Sequence, residues 1–198
     1  MSSNNKIITA ADIMPMDDYG ACRKERRLAM SEQKRVRRVE VGPFATFYFE
    51  NFDTMWTQVH EMLFIEGGGE AQLVEELDAY NPLIPQGAEL VATFMLEIPD
   101  ASRRDRELRH LGEIEMGISL DIGGNIVAAE PVEPDDVRIT PDGKTSSIHF
   151  LRFPFQPDQV AAFKADNARV VLSIDHPNYA HMAVLPEAAR SALATDFD

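Results

Sequence analysis

Hydrophobic positions along this chain recur with two different periods, and the period changes near Pro85. Before Pro85 the apolar residues return mainly at every third or fourth position, which is typical of helices with one buried face. After Pro85 they return mainly at every second position, which is typical of half-buried strands. Helices followed by strands indicate an α+β fold. We therefore expect a single domain over residues 1–198, in which a mainly helical part (1–85, with one aromatic strand) packs on a mainly antiparallel, sandwich-like β sheet with short helices (86–198).

The mainly helical part contains one strand among its predicted helices. Residues 39–50 are rich in β-branched and aromatic side chains on alternate positions, as in a strand buried on both faces. Pro15 can occupy the first turn of a helix, and Asn51 is a common helix N-cap residue. Gly67 to Gly69 interrupt a helical pattern, so the helices on either side should form a hairpin. The predicted helices cover 16–38, 54–66 and 70–80.

Turn residues divide the mainly β part into short strands. The sequences at 123–125, 141–143 and 177–178 favour tight turns, so each should join two antiparallel strands. The predicted strands cover 90–98, 114–122, 126–129, 136–140, 144–153, 168–175 and 181–185, and the predicted helices cover 101–111, 157–165 and a segment that begins at Pro186.

Charge is distributed unevenly along the chain, which has a net charge of −14. Residues 1–38 hold nine Lys or Arg and five Asp or Glu, whereas the remaining residues hold ten basic and 28 acidic ones. The acidic body argues against binding to nucleic acid. The basic segment is suited to an acidic partner, including the acidic body of a second copy in a homodimer.

Several classes of protein are excluded by what the sequence lacks. It has no run of about 18 apolar residues, so we expect no membrane span, and no apolar segment typical of a secretory signal, so we expect a cytoplasmic protein. The single Cys22 excludes an internal disulfide and any cysteine-based zinc or iron–sulfur site. No nucleotide-binding or haem motif is present. The cofactor is therefore unknown, with iron or zinc as the candidates.

The first candidate site is a cluster of histidine and aspartate around the last predicted hairpin. Asp175, His176 and His181 flank its turn, and His149 on another strand could supply a third imidazole. Two imidazoles and a carboxylate are a common ligand set for non-haem iron and zinc. Ordinary turn chemistry is the alternative, because Asp, Pro and Asn all favour turns.

The second candidate combines Glu50, at the end of a strand, with His60 and Glu61 in the following helix. A carboxylate that orients an imidazole makes a base or a metal ligand. His60 and Glu61, however, are adjacent and point about 100° apart around a helix. A hydrogen bond or ion pair within the fold is the alternative.

The third candidate is the basic segment, which could bind an anion or present a solvated or intermolecular helix face. Its candidate partner-binding residues are Arg23, Arg26, Arg27, Arg35, Arg37 and Arg38.

Five separate strings occur in an order that resembles a bacterial family, the domain of unknown function 3501. They are TAADIMPMDDY, GPFATFYFEN, NPLIP, HFLRFPF and SIDHPNYAHMAVLP. The resemblance implies an association with rubrerythrin-like di-iron proteins and iron–sulfur oxidoreductase subunits, and hence a role in oxidant defence or electron transfer. This chain itself has neither a cysteine cluster nor the paired Glu-x-x-His helices of a di-iron bundle.

Two functional hypotheses follow. The preferred one is a soluble accessory or binding protein that docks a redox or oxidative-stress partner through its charged surfaces. The other is a small metal-dependent enzyme or metal sensor that uses the His/Asp site. The sequence does not decide whether the protein is an enzyme.

Overall fold

A computed structural model of the chain describes residues 6–135 and 138–197. Within these residues the helical part comes first, as the sequence pattern predicts. The helices are α1 (Met16–Val36), α2 (Phe52–Glu66), α3 (Gly69–Tyr80), α4 (Ala101–His110), α5 (Pro157–Lys164) and α6 (Glu187–Ala194).

The strands form two antiparallel sheets. They are β1 (Arg38–Val41), β2 (Ala45–Glu50), β3 (Glu89–Leu96), β4 (Ile118–Ile122), β5 (Asn125–Ala128), β6 (Glu130–Pro131), β7 (Ile148–Pro154), β8 (Val170–His176) and β9 (Tyr179–Val184). Sheet A has the order β1-β2-β3-β7-β6, and sheet B has the order β5-β4-β8-β9. The predicted α+β class is confirmed.

A sandwich core fills the space between the two sheets. Phe47 of β2 and Phe94 of β3 are paired across sheet A, and their rings stack with centroids 4.7 Å apart. Both belong to one buried cluster with Leu120 and Leu172 of sheet B. Alternate residues of each strand therefore face the other sheet, as in other sandwiches.

A second core lies between the helices and the opposite face of sheet A. Tyr19 of α1 and Trp56 and Val59 of α2 are buried there, together with Val91 of β3, and Phe150 of β7 packs against them. Both faces of sheet A are therefore covered, which explains why β2 is buried along almost its whole length.

A reciprocal pair of capping hydrogen bonds marks the passage from β2 into α2. Asn51 accepts a hydrogen bond from the Thr54 backbone N–H at 3.0 Å, and the Thr54 hydroxyl accepts one from the Asn51 N–H at 2.9 Å. This reciprocal pair satisfies N–H groups that a helix start would otherwise leave open. Gly67 ends α2 with a left-handed φ of 66°.

Two predicted strands differ from the structure. Residues 39–50 form the hairpin β1–β2 instead of one strand, because Gly42 takes a φ of 74° and turns the chain. Residues 114–122 begin with a short 3-10 helix (Ile114–Gly117), and only the second half is strand β4.

The hairpin predicted over 136–153 is shorter than expected. Asp136 and Val137 lie outside the described residues. Ile139 and Thr145 form an isolated bridge, and regular pairing begins only at Ile148.

Candidate functional site

Three residues of the predicted metal cluster flank the turn between β8 and β9, but their side chains do not come together in one site. His176 lies 3.2 Å through Nε2 from the Gly112 carbonyl oxygen, and its Nδ1 accepts from the Asn178 N–H at 3.2 Å. The His181 ring packs edge-on against Tyr179. Asp175 is exposed and, as the neighbour of His176 along β8, points to the opposite face of sheet B.

His149, the fourth residue of that cluster, is buried in sheet A. Its Nε2 lies 3.2 Å from the Thr145 hydroxyl and 3.0 Å from the Ser146 carbonyl oxygen, and its Nδ1 is 3.7 Å from a carboxylate oxygen of Glu115. Across residues 6–135 and 138–197, no three His, Cys, Asp or Glu side chains are grouped so that they could hold a metal ion. The local bonds of His176 instead fit the turn chemistry that was the alternative.

His60 is fully buried between α1 and α2, with backbone partners for both ring nitrogens. Nδ1 lies 2.7 Å from the Trp56 carbonyl oxygen, and Nε2 accepts from the Met14 N–H at 3.0 Å. These partners assign the proton to Nδ1 in a neutral ring. Burial lowers the pKa of His60, opposed by the hydrogen bond to Trp56. The ring has no lone pair left for a metal or a substrate.

Glu61 and Glu50 point away from His60 toward other partners. Glu61 accepts two hydrogen bonds from Arg23, at 2.9 and 2.8 Å, and one from the Tyr19 hydroxyl at 2.8 Å. The Arg23 guanidinium holds the pKa of Glu61 below its usual range. Glu50 accepts from the Thr93 hydroxyl at 2.8 Å. The second candidate set is therefore a group of structural contacts that fasten α1 to α2 and β2 to β3.

Three of the six candidate arginines are part of the fold. Arg23 binds Glu61, and the Arg26 guanidinium lies 4.8 Å from the centre of the Trp56 ring. Arg37 is 3% exposed and donates to the Phe49, Glu50 and Ala192 carbonyls and to Asp196. The expectation that Arg37 contacts a partner is wrong, because its guanidinium is enclosed by these acceptors.

The other three arginines form the exposed side of α1 and its continuation into β1. Together with Lys34 they border an open groove of about 900 Å³, which we call the basic groove. Its cations are Arg27, Lys34, Arg35 and Arg38, and its only carboxylates among the described residues are Glu32 and Glu40. The opposite wall includes Val184 and Pro186, at the end of β9.

A second groove of about 820 Å³, which we call the apolar groove, follows the other side of α1. Leu28 and Phe64 line it, and Leu28 is 69% exposed. Arg27 lines both grooves. Helix α1 therefore separates the two grooves. We call its cations along the basic groove, Arg27, Lys34 and Arg35, the basic ridge.

Sequence reasoning did not single out Leu28, Lys34 or Val184. Leu28 is a large apolar residue outside the buried stripe of α1, and that position is a usable signal. Lys34 lies within the basic segment. Val184 gave no signal, because its place beside α1 depends on how sheet B packs on sheet A.

Taken together, the fold is that of an α+β protein in which a helical layer and two antiparallel sheets stack on one another. Among residues 6–135 and 138–197, no helix has both the length and the apolar character needed to cross a membrane.

A family described as protein of unknown function (DUF3501) matches residues 7–197, and this chain belongs to that family. A crystal structure of a novel protein of unknown function from Burkholderia pseudomallei K96243, at 1.90 Å resolution, is similar to this chain with 31% identity and a TM-score of 0.86. The match covers 96% of this chain and 99% of the other. No curated protein is significantly similar to it.

Proposed function

We propose that this protein is a binding module that docks an acidic protein partner on the basic ridge of α1 and its two grooves. The observation that carries the proposal is a group of cations that lines the basic groove and reaches the apolar groove at Arg27, on a molecule whose net charge is −14. Cations concentrated on one face of an acidic protein attract and orient a partner of opposite charge.

The cations of the ridge are available because their internal ion pairs are weak. Arg35 is 72% exposed, and its one acidic partner among the described residues is Glu32, three residues away on the same helix. Arg27 is 60% exposed and lies 3.9 Å from Glu61, which Arg23 already binds. An exposed pair such as Arg35–Glu32 is typically worth about 1 kcal/mol or less, so a partner carboxylate can replace it at little cost.

The apolar groove supplies apolar surface for a partner to bury, which charged side chains alone do not provide. Leu28 and Phe64 are exposed apolar side chains that line the apolar groove beside the ridge. Protein–protein interfaces usually combine apolar area with charged or polar side chains around it, and this surface offers both. The candidate partners are those that the family resemblance implies, a rubrerythrin-like protein and an iron–sulfur oxidoreductase subunit.

Charge reversal tests the proposal. Three probes are used: the rubrerythrin-like protein, the iron–sulfur oxidoreductase subunit and polyglutamate. We expect at least one to bind, with an affinity that falls as salt rises, because exposed charges are screened over about 10 Å at 0.1 M salt. We expect the Arg27→Glu/Arg35→Glu double variant to lose about tenfold or more in affinity, measured by calorimetry.

A matched control separates the ridge from net charge. Arg103 and Arg106 on α4 are also more than half exposed, so Arg103→Glu/Arg106→Glu changes the net charge by the same amount elsewhere on the surface. The control should bind within about threefold of the unaltered protein. An equal loss of affinity in the two double variants, or no binding to any probe, would contradict the proposal. Sedimentation of the free protein tests for a homodimer. If two copies pair through the ridge, the Arg27→Glu/Arg35→Glu variant should be a monomer.

A further inference from the structure

Strand β9 is an edge of sheet B whose outer side is open. The Leu185 N–H donates to the Val170 carbonyl, so in the register of β8 and β9 the odd-numbered residues of β9 bond inward to β8. The N–H and C=O groups of Ala180, Met182 and Val184 therefore point outward. Within the described parts of the chain, none of these outward groups has a hydrogen-bond partner.

The other three sheet edges carry features that discourage pairing with another strand. The outward positions of β1 are the charged Arg38 and Glu40, and β6 has two residues and ends in Pro131. On β5 the Gln159 side chain donates to the Ile126 carbonyl. Charges, prolines and covering groups are the usual ways to protect an edge.

In the part of the chain that the structure describes, strand β9 has none of these protections. Residues 179–185 contain neither Asp, Glu, Lys or Arg nor proline. Met182 is 72% exposed and Val184 is 51% exposed. An open, uncharged edge strand with exposed apolar side chains is a template for strand addition.

The charge beside this edge indicates what occupies it. Val184 lines the basic groove together with Lys34, Arg35 and Arg38. A strand added to β9 directs alternate side chains toward sheet A, on the side of the groove. Acidic residues at those positions would face the cations, whereas a second copy of this chain would bring its own cations to the same place.

We propose that β9 accepts an extended acidic segment of the partner as a fifth strand of sheet B. The inference rests on the proposed function and deepens it: the ridge attracts the partner by charge, and the β9 edge fixes one segment of it by backbone hydrogen bonds. Specificity then comes from the alternation of carboxylates with small or apolar residues.

Proline substitution tests the role of the outward N–H groups. The probe is a blocked peptide of about seven residues, an ordinary strand length, in which glutamate alternates with threonine and valine. Met182→Pro removes one outward donor and leaves the ladder to β8 in place, a position where edge strands tolerate proline. We expect it to lose about tenfold in affinity for the peptide. Met182→Ala keeps the N–H and is the matched control, expected within about threefold.

Amide hydrogen exchange of the unaltered protein provides a test that needs no variant. Peptide binding should slow exchange at Ala180, Met182 and Val184 and leave Ala183, which already bonds to β8, unchanged. The peptide could bind, and the Arg27→Glu/Arg35→Glu variant abolish that binding, while these amides stay unprotected and Met182→Pro binds normally. That combination would refute strand addition and leave the proposed function standing. If these amides become protected from exchange without peptide as the protein concentration rises, the edge pairs with a second copy of the chain. That result would overturn the proposal of an acidic partner segment. No peptide binding at all also overturns the inference, while the partner-protein probes still decide the proposed function.

Discussion

Side chains of α1 divide by the direction in which they point around the helix. Arg23 and Arg26 turn inward to Glu61 and Trp56, whereas Arg27 and Arg35 turn outward. One residue further along a helix is a rotation of about 100°, so adjacent arginines have different roles. Substitution of an inward arginine therefore reports on folding, and only the outward ones report on binding.

A pH dependence of stability is expected from His60. Burial lowers its folded pKa, so below the ordinary value of about 6.5 the unfolded chain binds more protons than the folded one. The neutral ring therefore contributes to the free energy of unfolding above pH 6.5. This contribution is lost as pH falls below 6.5, with a slope of at most about 1.4 kcal/mol per pH unit.

Urea unfolding at several pH values between 5 and 7.5 measures this slope. His60→Gln, whose amide can both donate and accept, should show a flatter dependence than the unaltered protein over that interval. Parallel curves for the two proteins would show that His60 does not titrate differently in the folded and unfolded states.

Sequence alone identified His60 and Glu61 as polar residues on a helix with apolar neighbours, but not their partners. The Met14 N–H that bonds to His60 is 46 residues away along the chain, and Arg37 meets Asp196 across 159 residues. Such contacts are set by how helices and sheets pack, which local patterns do not encode. Residue types could therefore be selected as candidates, while their grouping into a site could not.

At the level of elements, the turn between β1 and β2 connects the two sheets. Gly42 lies against Tyr179 of β9, whose hydroxyl donates to the Val41 carbonyl and accepts from the Ala45 N–H. A single tyrosine thus fixes both ends of the turn from the opposite sheet. The sequence does carry a signal for this turn, because Gly42 is followed by Pro43 and a Gly-Pro pair is typical of turns, but the β-branched and aromatic residues on either side predicted a continuous strand.

Gly42→Ala should destabilise the protein by about 3 kcal/mol. Its φ of 74° is unfavourable for alanine, and an added Cβ would lie 2.6 Å from the Tyr179 hydroxyl oxygen. Gly123→Ala is the matched control, because Gly123 also has positive φ but nothing within 4 Å of the added Cβ, so about 1 kcal/mol is expected. Denaturant midpoints measure both, and equal losses would mean that the contact with Tyr179 adds nothing.

At the scale of the whole molecule, one sheet serves two cores. Val91 of β3 belongs to the helical core, while its neighbours Leu90 and Ala92 belong to the sandwich core. The helices cannot detach without uncovering one face of sheet A. The broad division into helical and β parts was predictable from the period of the apolar residues, but the sharing of sheet A was not.

We expect a single cooperative unfolding transition as a consequence. Trp56, the one tryptophan of the chain, reports on the helical core by fluorescence, and far-UV circular dichroism reports on both parts. The two probes should give the same denaturant midpoint and the same slope. A separate, earlier fluorescence transition would show that residues 1–85 unfold on their own.

The pairing of β3 with β7 also has a consequence during synthesis on the ribosome. Roughly fifty residues separate Leu96 from Ile148, and at about 5–20 residues per second they take several seconds to emerge. Throughout that interval the side of β3 that pairs with β7 is an open sheet edge, and β8 and β9 of the opposing sheet have not yet been made. A nascent chain in this state is more prone to aggregate than the finished protein, because an unpaired strand edge can pair with another chain. Synonymous codons that slow translation between the two strands lengthen this exposure.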